Sequence, residues 1–325
     1  MPTTIRQELG NRLLIADGAM GSAIMAAALT SADYQGHAPC PEILNLTRPD
    51  LICQIHQSYL QVGVDAIETN SFGANPTALA EHGLADRLPE LAGRAAALAR
   101  QQADQAGRPC WVFGSLGPGT KLPSLGQVSF SVLQQGFTDQ ATALLNNGAD
   151  LLLIETCQDL LQAKAAVLGC QAAVNNTGVD APIIAQITVE NTGTMLLGTP
   201  TMAAAAALAA LGIDGMGLNC ATGPDAMGEH LRQLTSLFPL VSVMPNAGLP
   251  DIGPNGAVYH LTPEELANAL KGFVQNLGVA VVGGCCGTTP AHLAAVVQQL
   301  ANLPIGESAG RQAAGITSLN NAVPA

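Results

Sequence analysis

The sequence predicts an α/β fold, a (β/α)8 TIM barrel of parallel strands. Three observations carry that expectation. Eight short apolar runs alternate with helical patterns, and each run is closed by a polar or glycine-rich turn. The runs are continuous rather than alternating, which marks strands buried on both faces of a parallel sheet. The chain has 325 residues, 48% of them hydrophobic and 11% charged, ample for one large core. A doubly wound open sheet is the alternative, but no glycine-rich dinucleotide fingerprint follows the first run.

In order, the strand candidates are 13–16, 66–69, 111–115, 151–155, 183–189, 216–218, 241–244 and 279–282. Helical patterns cover 50–63, 88–106, 131–147, 160–175, 202–211, 225–237 and 263–278, and a last one begins at Pro290. Glycine or asparagine ends many of them, and Pro224 and Pro263 open two, as helix punctuation requires. Residues 304–325 lose this periodicity and are rich in Gly, Ser, Asn and Ala. The expected organisation is a barrel over 1–303 followed by a tail or interdomain linker over 304–325.

Composition excludes several classes. The formal net charge is −12 and aromatic residues make up 3%, so neither a basic stripe nor a stacking platform for nucleic acid is present. The first ten residues include Arg6 and Glu8 and no apolar targeting segment. The longest apolar helical stretch, 202–211, is too short to span a bilayer. The expectation is a cytoplasmic chain with no membrane partner, whose eight cysteines are reduced.

In such barrels chemistry sits where strands end, and here those ends are polar. They read Asp17-Gly18-Ala19-Met20-Gly21, Glu68-Thr69-Asn70-Ser71-Phe72-Gly73, Gly114-Ser115-Leu116-Gly117-Pro118, Glu155-Thr156-Cys157, Asn219-Cys220, Pro245-Asn246-Ala247-Gly248 and Gly283-Gly284-Cys285-Cys286-Gly287. The last is the strongest signal. Successive strand residues point to opposite faces, so two adjacent thiolates reach one metal only if the chain bends, and the flanking glycines permit that. Cys220, two strands away across the barrel mouth, is the candidate third ligand. Three thiolates with an open fourth position is a catalytic zinc pattern rather than a closed structural one. A zinc so rich in thiolate suits a thiol substrate, which it deprotonates while leaving the sulfur nucleophilic. Cys40, Cys53, Cys110, Cys157 and Cys170 read instead as packing residues, and the six histidines form no site.

These strand ends resemble the homocysteine S-methyltransferase family, and the match runs from about Leu13 to Leu300. The residues that carry it are Asp17-Gly18-Ala19-Met20-Gly21, Glu68-Thr69-Asn70-Ser71-Phe72-Gly73-Ala74-Asn75, Gly217-Leu218-Asn219-Cys220 and Gly283-Gly284-Cys285-Cys286-Gly287-Thr288-Thr289-Pro290. Within the family, Asn45-Leu46-Thr47-Arg48-Pro49-Asp50, Gly114-Ser115-Leu116-Gly117-Pro118 and Pro245-Asn246-Ala247-Gly248-Leu249-Pro250 lean toward the homocysteine-binding module of cobalamin-dependent methionine synthases. Ser22 departs from the threonine usual there. The resemblance implies zinc on Cys220, Cys285 and Cys286, and homocysteine as methyl acceptor.

For the substrate's ammonium, Glu155 is the first candidate and Asp17 the second, with a turn or N-cap role as the alternative for Asp17. The backbone N–H groups of Gly18, Ala19 and Met20 are candidates for the carboxylate. Glu68 and Asn70 either touch substrate or orient loops. Asn246 is the candidate fourth zinc ligand while homocysteine is absent. As donor the resemblance implies methylcobalamin, reached through folate-binding and corrinoid modules in cis or in trans. None of the six histidines has Asp two residues before it, so the corrinoid-ligating motif is missing from this chain. The alternatives are a standalone enzyme using S-methylmethionine, S-adenosylmethionine or betaine, and a non-catalytic barrel with a structural zinc.

Overall fold

The computed structural model describes residues 4–253 and 256–313. Eight parallel strands form one sheet: β1 (Leu14–Ile15), β2 (Ala66–Glu68), β3 (Trp111–Leu116), β4 (Leu151–Cys157), β5 (Ile183–Ile187), β6 (Gly215–Asn219), β7 (Val241–Met244) and, after an antiparallel hairpin of β8 (Asp251–Gly253) and β9 (Gly256–Val258), β10 (Val281–Val282). The order is β1-β10-β7-β6-β5-β4-β3-β2. A helix follows each barrel strand, so the expected (β/α)8 architecture stands. The ladder stops between β1 and β2, where one main-chain bond and two side-chain bonds bridge instead. Asp65 N donates to Ile15 O (2.6 Å), Ile15 N donates to Asp65 Oδ2 (2.9 Å), and Glu68 N donates to Asp17 Oδ1 (3.1 Å).

Strand alternation sorts the core into two parts. Leu14, Ala66, Phe113, Leu151, Leu153, Ile184 and Met244 fill the barrel interior, and Ile5 and Leu9 plug its lower end. Ile15, Ile67, Val112, Leu152, Ile154, Leu218 and Val243 face the helical layer. The same parity makes the last inward positions polar: Glu68 follows Ala66, Ser115 follows Phe113, Glu155 follows Leu153, and Asn219 follows Gly217. The barrel thus has an oily floor and a polar mouth.

The expected helices are present with small boundary shifts, and Pro263 opens one capped by Thr262 and Glu265. The antiparallel pair β8–β9 and the short helix Met20–Ala26 stand beyond the expected alternation. Of the expected tail, residues 304–313 lie against the barrel: Gly306 N donates to Val274 O (3.0 Å), and Arg311 donates to Gly10 O. Residues 314–325 lie outside the described residues. Among those described, no helix is long and apolar enough to cross a membrane.

Candidate metal centre and substrate cavity

Cys220 immediately follows β6, and Cys285 and Cys286 lie in the turn after β10. Strand β7, between them, carries the intervening Pro245-Asn246-Ala247 segment. Main-chain bonds fix the turn: Gly284 N donates to Asp17 O (3.0 Å), Cys285 N to Pro245 O (2.8 Å), and Ala247 N to Cys286 O (2.9 Å). Gly287 closes it with φ +79°, a left-handed conformation that glycine adopts without penalty. Gly284 serves differently: a Cβ there would lie 2.4 Å from Thr288 Oγ1, so its role is close approach. Ser22 touches this turn, its hydroxyl accepting from Gly287 N at 3.0 Å. Tyr259, at the foot of the hairpin, stacks against Gly287.

The three sulfurs converge. Cys220 Sγ lies 3.8 Å from Cys286 Sγ, Cys285 Sγ lies 4.0 Å from Cys286 Sγ, and all three fall within 4.8 Å of one another. Tetrahedral zinc with bonds of about 2.3 Å sets its sulfurs about 3.8 Å apart, so the spacing fits a shared ion and not a disulfide. Hydrogen bonds with Cys220 and Cys285 pull the Cys286 thiol well below the ordinary range. Asn246 is 4% exposed, and its Oδ1 is buried without a hydrogen-bond partner. An orphaned amide oxygen on the segment between the two cysteine-bearing elements suits a displaceable metal ligand.

The cysteines line a cavity of about 380 Å³ at the barrel mouth, together with Gly18, Met20, Glu68, Phe72, Ser115, Glu155 and Asn219. Asp17, 1% exposed, borders the same region and spends Oδ1 on Glu68 N. Glu155, 6% exposed, accepts from Ser115 Oγ and, at 3.5 Å, from Asn219 Nδ2. Burial pushes Glu155 up to about 7, the Ser115 hydroxyl draws it back, and the nearby Cys220 raises it. Burial also raises Asp17 and Glu68 well above the carboxylate range, and Glu68 Oε1 has no partner. Three carboxyl groups, Asp17, Glu68 and Glu155, thus surround one small space, and burial favours the protonated form of each.

The remaining expected residues divide. Ala19 N donates to Thr288 Oγ1 (3.2 Å), so one of the three amides suggested for a carboxylate is occupied. Asn70 lines the cavity, yet its amide nitrogen donates to Pro41 O (2.9 Å) and Asn45 Oδ1 (3.0 Å), which orients the loop after β2. Cys40 and His82 also line the cavity although the sequence suggested no role for them. Asn219, Ser115 and Thr288 were visible only as members of motifs. The parity of the strands is the signal that singles out Asn219 and Ser115, each the inward polar residue at the end of an apolar strand.

Comparison with known proteins places these features. The family model described as homocysteine S-methyltransferase matches residues 14–300. Methionine synthase of Mycobacterium tuberculosis (strain H37Rv) is 48% identical over 326 residues, covering 99% of this chain, and that of Mycobacterium leprae is 46% identical over 331 residues, also covering 99%. The chain spans 27% of the length of each. Among solved structures, the metallated form of the homocysteine methyltransferase MmuM from Escherichia coli superposes with a TM-score of 0.68 at 28% identity, covering 87% of this chain and 95% of that one. Its apo form gives 0.65 at 26% identity, covering 88% and 95%.

Proposed function

The chain belongs to the homocysteine S-methyltransferase family, and from that premise we propose that it holds homocysteine between a tris-cysteine zinc site and Glu155 and presents the sulfur to methylcobalamin carried by a corrinoid module. The observation that carries this reading is the cluster of three sulfurs beside a buried carboxylate in one cavity. Cys220, Cys285 and Cys286 are the zinc ligands. Zinc there supplies one thing, a lowered thiol pKa that keeps the substrate sulfur anionic at neutral pH.

The chain's own groups do the rest. Glu155 takes the ammonium, held in place by the Ser115 hydroxyl. Asp17 and Glu68, which burial holds toward their protonated forms, border it as hydrogen-bonding groups. The substrate carboxylate falls to the main-chain amides of Gly18 and Met20, since that of Ala19 is already bonded. The apolar floor and walls keep water from the sulfur. Asn246, whose Oδ1 is buried without a partner, would offer the metal a fourth, hard oxygen donor that a soft sulfur outcompetes.

A carried donor is supported by the surface. Met25, Phe72, Leu249 and Ile252 are exposed on segments after β1, β2 and β7, at the same end of the barrel as the cavity. Apolar side chains around a mouth suit docking of a protein surface. The relatives' greater length leaves room for corrinoid and folate modules in cis. The deciding assay compares methyl donors with homocysteine as acceptor. Methionine should form with methylcobalamin and not with S-methylmethionine, S-adenosylmethionine or betaine. Turnover with one of those three and none with methylcobalamin would overturn the donor assignment.

Asn246→Ala tests the fourth ligand. In cobalt-substituted protein the substrate-free visible spectrum should change, while the homocysteine-bound spectrum should match that of the unsubstituted protein. Identical substrate-free spectra would remove Asn246 from the metal.

A further inference from the structure

Strand β4 contains a bulge at the site. Its register against β5 is regular through Ile154↔Ala185 and resumes at Cys157↔Ile187, so β4 carries one extra residue at Glu155-Thr156. A bulge of this kind re-aims a side chain, here the Glu155 carboxylate. It also sets Thr156 at φ +59°, a left-handed conformation unfavourable for a β-branched residue.

Ser115 holds one carboxylate oxygen of Glu155, and Asn219 holds both the bulge and the other oxygen. Asn219, 1% exposed, ends β6 and reaches across the top of β5. Its Oδ1 accepts from Thr156 N at 2.8 Å, and its Nδ2 donates to Thr156 Oγ1 at 2.8 Å and to Glu155 Oε2 at 3.5 Å. The end of β5 joins the clamp: Thr188 N donates to Cys157 O (3.0 Å) and Thr188 Oγ1 to Asn219 O (3.2 Å). The next residue after Asn219 is Cys220, itself at φ +58°, with Ala221 at +52°. A single buried amide thus ties the bulge that aims Glu155 to the strand end that carries a sulfur ligand.

We infer that Asn219 is a positioning residue that fixes the separation between Glu155 and Cys220 and so sets which chain length of aminothiol acid the site accepts. This rests on the functional reading above. Homocysteine and cysteine share both polar ends and the thiol and differ by one methylene. A rigid separation rewards the chain that spans it, and a difference of one methylene is worth about tenfold or more in a fitted site.

The test uses the zinc-loaded full chain. Asn219→Ala alone leaves Thr156 strained and endangers folding, so it is combined with Thr156→Gly, which adopts the positive φ without penalty. Homocysteine and cysteine affinities are measured by calorimetry, with zinc content and thermal melting as controls. The N219A/T156G protein should retain zinc and melt cooperatively, bind homocysteine about tenfold more weakly or worse, and lose most of its preference over cysteine. An unchanged preference would overturn the inference, whether both affinities held or fell together. Loss of zinc would also overturn it, making Asn219 a support of Cys220 alone. If the unsubstituted zinc-loaded protein bound homocysteine no better than the Cys220→Ala variant, the functional reading itself would fail.

Discussion

Replacing Cys220, Cys285 or Cys286 by alanine should remove the zinc and reduce methyl transfer to background while the barrel stays folded. Two remaining thiols hold zinc poorly, and the substrate thiol then returns to its ordinary pKa. With a pKa of about 8.5, its thiolate fraction at pH 7 falls about 30-fold, before counting the lost positioning, which contributes further orders of magnitude. Stability should change little. The cysteines sit at the mouth, above a floor of Leu14, Phe113, Leu151 and Leu153 that holds the barrel without metal. A loss of about 1 kcal/mol moves the melting temperature of a chain this size by only about 1–2 °C. Metal analysis, a methyl-transfer assay and a thermal melt check the three parts. A structural zinc predicts the reverse, an unfolded protein on removal, so collapse of the melt with the metal would favour the non-catalytic reading. Wild-type zinc content in the triple alanine variant would remove the site altogether.

Glu155→Gln should weaken homocysteine by about 2–5 kcal/mol, the usual effect of removing one partner of a buried charge pair, while zinc content stays unchanged. The pH dependence has a definite sign. Glu155 is pushed up to about 7 by burial, so its carboxylate takes up a proton as pH falls below that value and the ammonium loses its partner. Three thiolates on one zinc leave a net charge of about −1, which keeps the shift upward. Homocysteine affinity should therefore drop as pH falls from neutral toward 6, and in the Gln variant that component should vanish. Calorimetry across this range reads both effects. Equal affinities for the two proteins at pH 8 would refute the ammonium assignment.

Much of this was legible in the sequence because periodicity and punctuation report directly on burial. Strand 241–244 and the helix from Pro263 appear where expected. The sulfur cluster was legible too, since adjacent cysteines between glycines have few other uses. Other features depend on tertiary geometry that no local pattern encodes. The bulge at Thr156 requires β5 and β6 beside it, and nothing in Glu155-Thr156-Cys157 announces a positive φ. The Asp65 and Asp17 bridges at the β1–β2 seam are likewise invisible, because nothing local pairs Asp65 with Ile15 or Asp17 with Glu68. The antiparallel pair β8–β9 was hidden by its brevity, three residues to a strand. For Asn70 the sequence left substrate contact and loop orientation both open, and its amide nitrogen donates to Pro41 and Asn45, as loop orientation requires.

Cys220, Cys285 and Cys286 should hold one zinc, and homocysteine should complete its shell through sulfur. Zinc K-edge X-ray absorption on the purified chain reads this directly. Without homocysteine the spectrum should fit three sulfurs at about 2.3 Å and one oxygen or nitrogen near 2.0–2.1 Å, and with homocysteine it should fit four sulfurs at about 2.3 Å. A sulfur count that stays the same when homocysteine is added would contradict the account.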